Sequence, residues 1–250
     1  MRDWPSVIRR LRAMANSIGI KRRRCYLVRH GHVDYFDAQG RPLDPRSVSL
    51  SDQGALQART LGEVMRATAL DRVLVSDYPR AQQTLDLVLM GRALKVESTP
   101  ALREIRAGRL REIPEPSMQE AIVGAYRNAA EPDATFLGGE RWSDFSQRVL
   151  GKFHTVLNED GWESLLIVAH DAVNRILLAW AAGTGMPGIA AFEQDTACLN
   201  VIDIDREGDG SFAAIIRALN VTPYDPGKAG IRDTVLENLY RHIRPGKPLA

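Results

Sequence analysis

Two arginines, two histidines and one glutamate stand where short apolar runs end. Arg29 and His30 follow "CYLV", Arg80 lies in "VLVSDYPRA" just past Ser76 and Asp77, Glu104 in "ALREIRAG", and His170 follows "SLLIVA". Imidazole exchanges protons near neutral pH and attacks electrophiles when neutral. A guanidinium grips anionic oxygens through a planar fork of donors. Brought together, these groups make an anion pocket with an acid beside it. The chain has five histidines in all, and two of them are at such run ends. Taken singly, His30 and His170 read equally well as capped or core histidines, Arg80 as a surface charge near a helix start, and Glu104 as a solvated side chain. Their joint placement is what points to a function.

The elements that must position them follow from periodicity. "YLVRHG" has the short apolar, glycine-terminated form of a buried strand. "SLSDQGALQARTLGEVMRAT" opens on a Ser/Asp cap signal and continues with helical spacing. "RVLVSD" is a second strand and "YPRAQQTLDLVLM" a second helix, with Pro79 in its first turn. "ALKVEST" is a third strand, "WSDFSQRVLGKFHTVLNED" a helix, "SLLIVAH" the most apolar strand, and "AVNRILLAWAAG" a helix ending at Gly183. "ACLNVIDID" and "SFAAIIRAL" flank "REGDG", whose Asp-Gly marks a hairpin, and a last helix around "RDTVLENLYRHI" is expected outside the sheet. Strands alternating with helices predict a three-layer α/β/α fold with a mainly parallel central sheet and a C-terminal antiparallel hairpin at its edge. In such sheets ligands gather at the carboxyl ends of the strands, where the five residues fall.

At 250 residues, 44% apolar and 26% charged, the chain has the composition of a globular protein with one large domain. Its formal charge of +2 is too balanced to demand a nucleic-acid partner, and no apolar run reaches membrane-spanning length. Two cysteines far apart in strand-like runs, Cys25 and Cys198, argue for buried thiols and a cytoplasmic, reducing location. Residues 1–24 read as a basic amphipathic helical extension, with Trp4, Val7, Ile8, Leu11 and Met14 at helical spacing. Such a helix either packs as a wetted face or touches an acidic surface or partner. Residues 25–220 form the catalytic domain, 106–141 a lid-like excursion rich in Pro, Gly and charge, and 221–250 a helical tail. A homodimer is compatible with this layout.

The chain resembles the histidine phosphatase superfamily, the phosphoglycerate mutase-like proteins, over roughly Tyr26 to Asn220. The resemblance rests on six motifs in order: "LVRHG", "SLSDQGALQA", "VLVSDYPRAQQT", "LREIRAG", "GGERWSDFSQRV" and "LLIVAHDAVNRILL". It implies that His30 attacks a phosphate monoester as neutral imidazole, giving a phosphohistidine that water cleaves. It implies that Arg29, Arg80 and His170 hold the phosphate and that Glu104 gives the leaving oxygen its proton. Backbone N–H groups at the start of the helix after His170 are expected to add to the anion site. No metal or cofactor is expected, because the pocket already carries positive charge. The chain departs from the usual pattern at His32 and Asp34 after the signature, and Asp171 stands where glycine is usual. These three are assigned to substrate binding. A mutase would carry a more characteristic loop after the acid and the usual continuation of the signature. The expectation is therefore a phosphatase acting on a small phosphorylated metabolite. Mutase-type phosphoryl transfer and a noncatalytic phosphate-binding or interaction module are the alternatives. Arg103, Arg106, Arg109 and Arg111 make the region around the acid basic, as for a second anionic group or as a solvated loop face.

Overall fold

The computed structural model of the protein describes residues 22–244. The expected basic helix over Trp4 to Met14 lies outside these residues. Six strands, β1 (Arg23–Arg29), β2 (Arg72–Ser76), β3 (Val96–Thr99), β4 (Ser164–Ala169), β5 (Leu199–Arg206) and β6 (Phe212–Val221), form one sheet in the order β3-β2-β4-β1-β5-β6. The first four of that order run parallel, and β5 and β6 are antiparallel to their neighbours. β4 is buried at all six positions, as a Leu-Leu-Ile-Val-Ala run must be when helices cover both its faces.

Six α-helices among the described residues complete the layers: α1 (Asp52–Met65), α2 (Pro79–Leu89), α3 (Met118–Val123), α4 (Trp142–Leu157), α5 (Asp171–Ala181) and α6 (Val235–Ile243). On one face, Leu61 and Met65 of α1 and Leu85 and Val88 of α2 close over Val73, Val75 and Val168. On the other, Phe145, Val149 and Phe153 of α4 and Val173 and Leu177 of α5 close over Leu27, Leu165 and Ile167. The apolar stripes of four helices thus bury the two sides of one sheet, which is the predicted three-layer fold. Ser51 caps α1 by accepting the Gly54 N–H at 3.2 Å, and Pro79 opens α2. Both are start signals legible in the sequence.

Three expectations shift. β1 begins at Arg23, before Tyr26, because Arg24 has a carboxylate across the ladder: its Nε donates to Asp203 of β5 at 2.6 Å. The third strand keeps only Val96–Thr99 of "ALKVEST". The excursion at 106–141 is no bare loop. It carries α3, and Met118, Ile122 and Tyr126 are buried at helical spacing with Phe136, Trp142 and Phe145. Tyr126 and Phe136 meet the Trp142 ring at centroid distances of 5.5 and 5.6 Å. The tail helix α6 packs on this excursion, burying Leu236 and Tyr240 in the same core, with Arg244 paired to Glu115. Among the described residues no helix is long and apolar enough to cross a membrane.

Parallel strands end at one edge. Register pairs Arg29 with Ala169 and Val75 with Val168, so His30, Ser76 and His170 emerge side by side. Chain crossover, which no local pattern encodes, makes neighbours of residues far apart in sequence.

Candidate active site

His30 is clamped by its backbone: its N–H donates to Ala169 O at 3.0 Å and its carbonyl accepts from Ala197 N at 3.0 Å. Its ring Nδ1 lies 2.7 Å from the Gly31 carbonyl. A carbonyl only accepts, so Nδ1 carries the proton and Nε2 the lone pair. That lone pair receives Arg80 Nε–H at 3.1 Å. Burial first, then the charges of Arg80 and Arg29, hold the imidazole well below its usual pKa. Neutral imidazole with Nε2 unprotonated is the form able to attack.

The glycine after His30 has a different task from the tight turn its type suggests. A Cβ on Gly31 would stand 2.4 Å from Gly54 O, and one on Gly54 2.1 Å from His32 O. Two backbones therefore touch where the signature meets the first turn of α1, and both contacts exclude a side chain. Gly54→Ala is expected to destabilise the fold by roughly 2 kcal/mol and to cost activity by displacing His30, since misplacement of about 1 Å can cost on the order of a hundredfold. A urea midpoint and kcat/KM both equal to wild type would show that the contact gives way freely.

Arg29 and Arg80 reach the pocket from opposite sides. Arg29 Nη1 is spent on Gln194 O at 2.6 Å, while its Nε is buried without a partner. Arg80 enters from the first turn of α2, lies over the Tyr78 ring at 4.8 Å and donates Nη1 to Pro45 O. His170, the N-cap of α5, puts Nε2 2.8 Å from Ser76 Oγ and leaves Nδ1 buried and unpartnered. Its ring meets that of His30 edge-on at 5.2 Å. Burial, then Arg80, His30 and Arg29, hold its pKa well below the ordinary imidazole value. Arg29, His30, Arg80 and His170 are 7, 2, 1 and 0% exposed. Cations this deep need an anion to face, because solvent does not reach them.

Glu104 is half-buried across the pocket. Its Oε1 accepts from the backbone N–H of Ile105 at 3.0 Å and of Ala172 at 3.2 Å. The Ala172 N–H, second in α5, is thus taken by the acid. Burial and the neighbouring Asp171 push the Glu104 pKa up to about 7, against the pull of the Ile105 N–H, Arg29 and Arg80.

The other assignments divide. His32 donates its N–H to Gln57 Oε1 at 2.9 Å and has Nδ1 2.8 Å from Ser51 Oγ, so it ties the signature loop to α1 at the pocket rim. Burial, and then Arg29 among the cations, lower its pKa, with Asp34 opposing. Asp34 is exposed beyond it. Asp171 has both its carboxylate oxygens engaged inside the protein, Oδ1 by Arg175 Nε at 2.7 Å and Oδ2 by the Tyr126 hydroxyl at 2.7 Å. The basic residues around the acid also pair internally. Arg103 binds Asp77, Arg106 lies 3.7 Å from Glu140, and Arg109 lies 3.5 Å from Glu112, which favours the solvated loop face over a second anion site.

Arg148 and Glu140 had no assigned role from the sequence. Arg148 of α4 donates to the carbonyls of Ala101, Arg103 and Glu104 at 3.0, 2.8 and 3.2 Å and binds Glu140 Oε1 at 2.9 Å. Glu140 in turn accepts the Arg106 N–H at 3.0 Å. The "GGERWSDFSQRV" motif therefore staples the backbone that carries the acid. No helical spacing rule links Glu140 and Arg148, because Glu140 lies ahead of the first turn of α4. Among the described residues no group of three or more His, Cys, Asp or Glu could hold a metal ion.

Comparison with known proteins extends the pattern beyond these residues. The chain is 30% identical over 201 residues to the adenosylcobalamin/alpha-ribazole phosphatase of Escherichia coli K12, covering 79% of this chain and 95% of that protein. It is 27% identical over 160 residues, 63% of this chain and 74% of the other, to a Cronobacter sakazakii protein named for phosphoglycerate mutase activity. The crystal structure of the alpha-ribazole phosphatase from Shigella flexneri superposes with a TM-score of 0.63 at 30% identity, covering 79% of this chain and 96% of that one. Residues 25–213 match the model of the histidine phosphatase superfamily, branch 1. That span takes in all four strand ends that feed the pocket, and the chain belongs to the histidine phosphatase superfamily.

Proposed function

We propose that the protein is a metal-independent phosphatase that hydrolyses a small phosphorylated metabolite through a phosphohistidine on His30. One observation carries the reading: beside the His30 lone pair, Arg29 Nε and His170 Nδ1 are buried polar atoms without a partner. Leaving such atoms unpaired costs on the order of 1–3 kcal/mol each, a cost that acceptor oxygens of a phosphate relieve. Arg29 and Arg80 supply the charge that a divalent cation would otherwise bring. The relatives named as phosphatases support hydrolysis over transfer.

In the first step His30 Nε2 attacks phosphorus, the ester P–O bond breaks, and the leaving oxygen takes the Glu104 proton. In the second, water attacks the phosphohistidine, Glu104 takes a proton from it, and phosphate leaves with His30 neutral again. Attack needs neutral His30, and departure needs protonated Glu104. For an alkyl phosphate, kcat/KM in the presence of EDTA is therefore expected to rise with pH below the ordinary imidazole range and to fall again at about 7. Glu104→Gln is expected to cost about a hundred- to ten-thousandfold on the alkyl ester and far less on para-nitrophenyl phosphate, whose leaving group needs little protonation. Equal losses on both esters, or a product isomer in place of free phosphate, would reject the reading.

A further inference from the structure

We propose that Asp171 is a positioning residue for the acid step: a buried carboxylate, bound by Arg175 and Tyr126, that keeps the proton on Glu104. The inference rests on the reading of Glu104 as proton donor. Three observations support it. Glu104 binds the N–H of Ala172, the residue next to Asp171, so the two carboxyls share the first turn of α5. Asp171 is 2% exposed, so solvent screens its charge little. Its two oxygens accept from the Arg175 guanidinium at 2.7 Å and the Tyr126 hydroxyl at 2.7 Å, while Arg175 is fixed further by Glu193 Oε2 at 2.7 Å and Ile189 O at 3.2 Å.

A helix N-terminus with two guanidiniums nearby ordinarily strips a carboxyl of its proton. Glu104 faces Arg29 from β1 and Arg80 from α2, receives the backbone N–H groups of Ile105 and Ala172, and has Arg148 of α4 on its carbonyl. Against these stand burial and the Asp171 charge, with the neutral Tyr126 phenol on its far side. A like charge close by in a dry site makes the second carboxyl hold its proton. Because Tyr126 belongs to the excursion over 106–141, the same contact ties the lid to the acid's charge state.

The test is the pH profile of kcat/KM for an alkyl phosphate. Asp171→Asn keeps shape and hydrogen-bonding capacity but removes the charge, and the descending limb is expected to move down by about one pH unit. Asp171→Gly, which puts in the residue usual for the family, is a second charge-free variant should the first fold poorly, with the same shift expected. Asp171→Glu restores the charge and is expected to return the limb toward about 7. A purely structural residue would lower kcat without moving the limb, so a charge-free variant whose limb stays at the wild-type position overturns the proposal. Glu104→Gln separates the two readings. If that variant keeps the same descending limb, Glu104 is not the titrating acid and both fall; if it loses the limb while Asp171→Asn leaves it in place, only the role of Asp171 falls.

Discussion

His30→Ala is expected to lower turnover of para-nitrophenyl phosphate, measured with EDTA present, by about four orders of magnitude or more. On the mechanism proposed above, no neighbour replaces the His30 imidazole: His170 has its Nε2 on Ser76, and water attacking directly forfeits the covalent intermediate. Loss of a nucleophile elsewhere costs roughly a millionfold, and the anion site alone accounts for residual rate. The variant should still bind inorganic phosphate within about tenfold of wild type, because Arg29, Arg80 and His170 remain; calorimetry checks this and separates lost chemistry from lost fold. Comparable turnover by wild type and variant would reject His30 as the nucleophile.

The second large effect is on stability. Arg175→Met is expected to destabilise the protein by about 3–5 kcal/mol, the usual consequence of removing one partner from a buried ion pair. Arg175 and Asp171 have side chains only 2 and 3% exposed, and the guanidinium also lies 4.2 Å over the Tyr126 ring. Methionine fills part of the volume but leaves the Asp171 carboxylate with a phenol alone. In a chain of this size that corresponds to a fall of roughly 10 °C in melting temperature. Removing the second partner as well, in Arg175→Met with Asp171→Asn, should recover part of the loss, since the stranded charge is then gone. A urea midpoint unchanged in Arg175→Met would show that the pair adds nothing net.

Stability also depends on pH through Glu104. Its pKa in the folded chain, about 7, lies above the ordinary carboxylate value. Between roughly pH 4.5 and 7 the folded state keeps a proton that the unfolded state releases, so this group's contribution falls as pH rises through that window. A carboxyl that keeps its proton up to about 7 is thus held at a cost to the fold, as is common where function strains a site.

Much of the site is legible as types and spacing. The run ends at Arg29, His30 and His170, the proline-started helix before Arg80 and the capped helix after Ser51 all follow from local rules, because strand burial and helix starts depend on neighbours in sequence. The excursion over 106–141 was harder to read. Its helical stripe of Met118, Ile122 and Tyr126 is short and flanked by Pro and Gly, so the turn signals outweigh the periodicity until Trp142 and Phe145 supply a surface to pack on. The Arg175 partnership with Asp171 was available as an i, i+4 pair, but such pairs are usually solvated, and only burial makes this one matter.

By itself, then, the chain determined its fold class and the set of polar groups gathered at the strand ends. Those depend on hydrophobic period and on residue types at strand ends. Tertiary structure decided which of the flanking polar residues face the pocket and which face one another. It turned Asp171 inward to Arg175 and Tyr126, gave Ala172 N–H to Glu104, and set Gly31 against Gly54. The physical reason is the same in each case: a hydrogen bond, an ion pair or a backbone contact needs two partners within a few ångströms, and the second partner comes from an element whose position only the packed sheet defines.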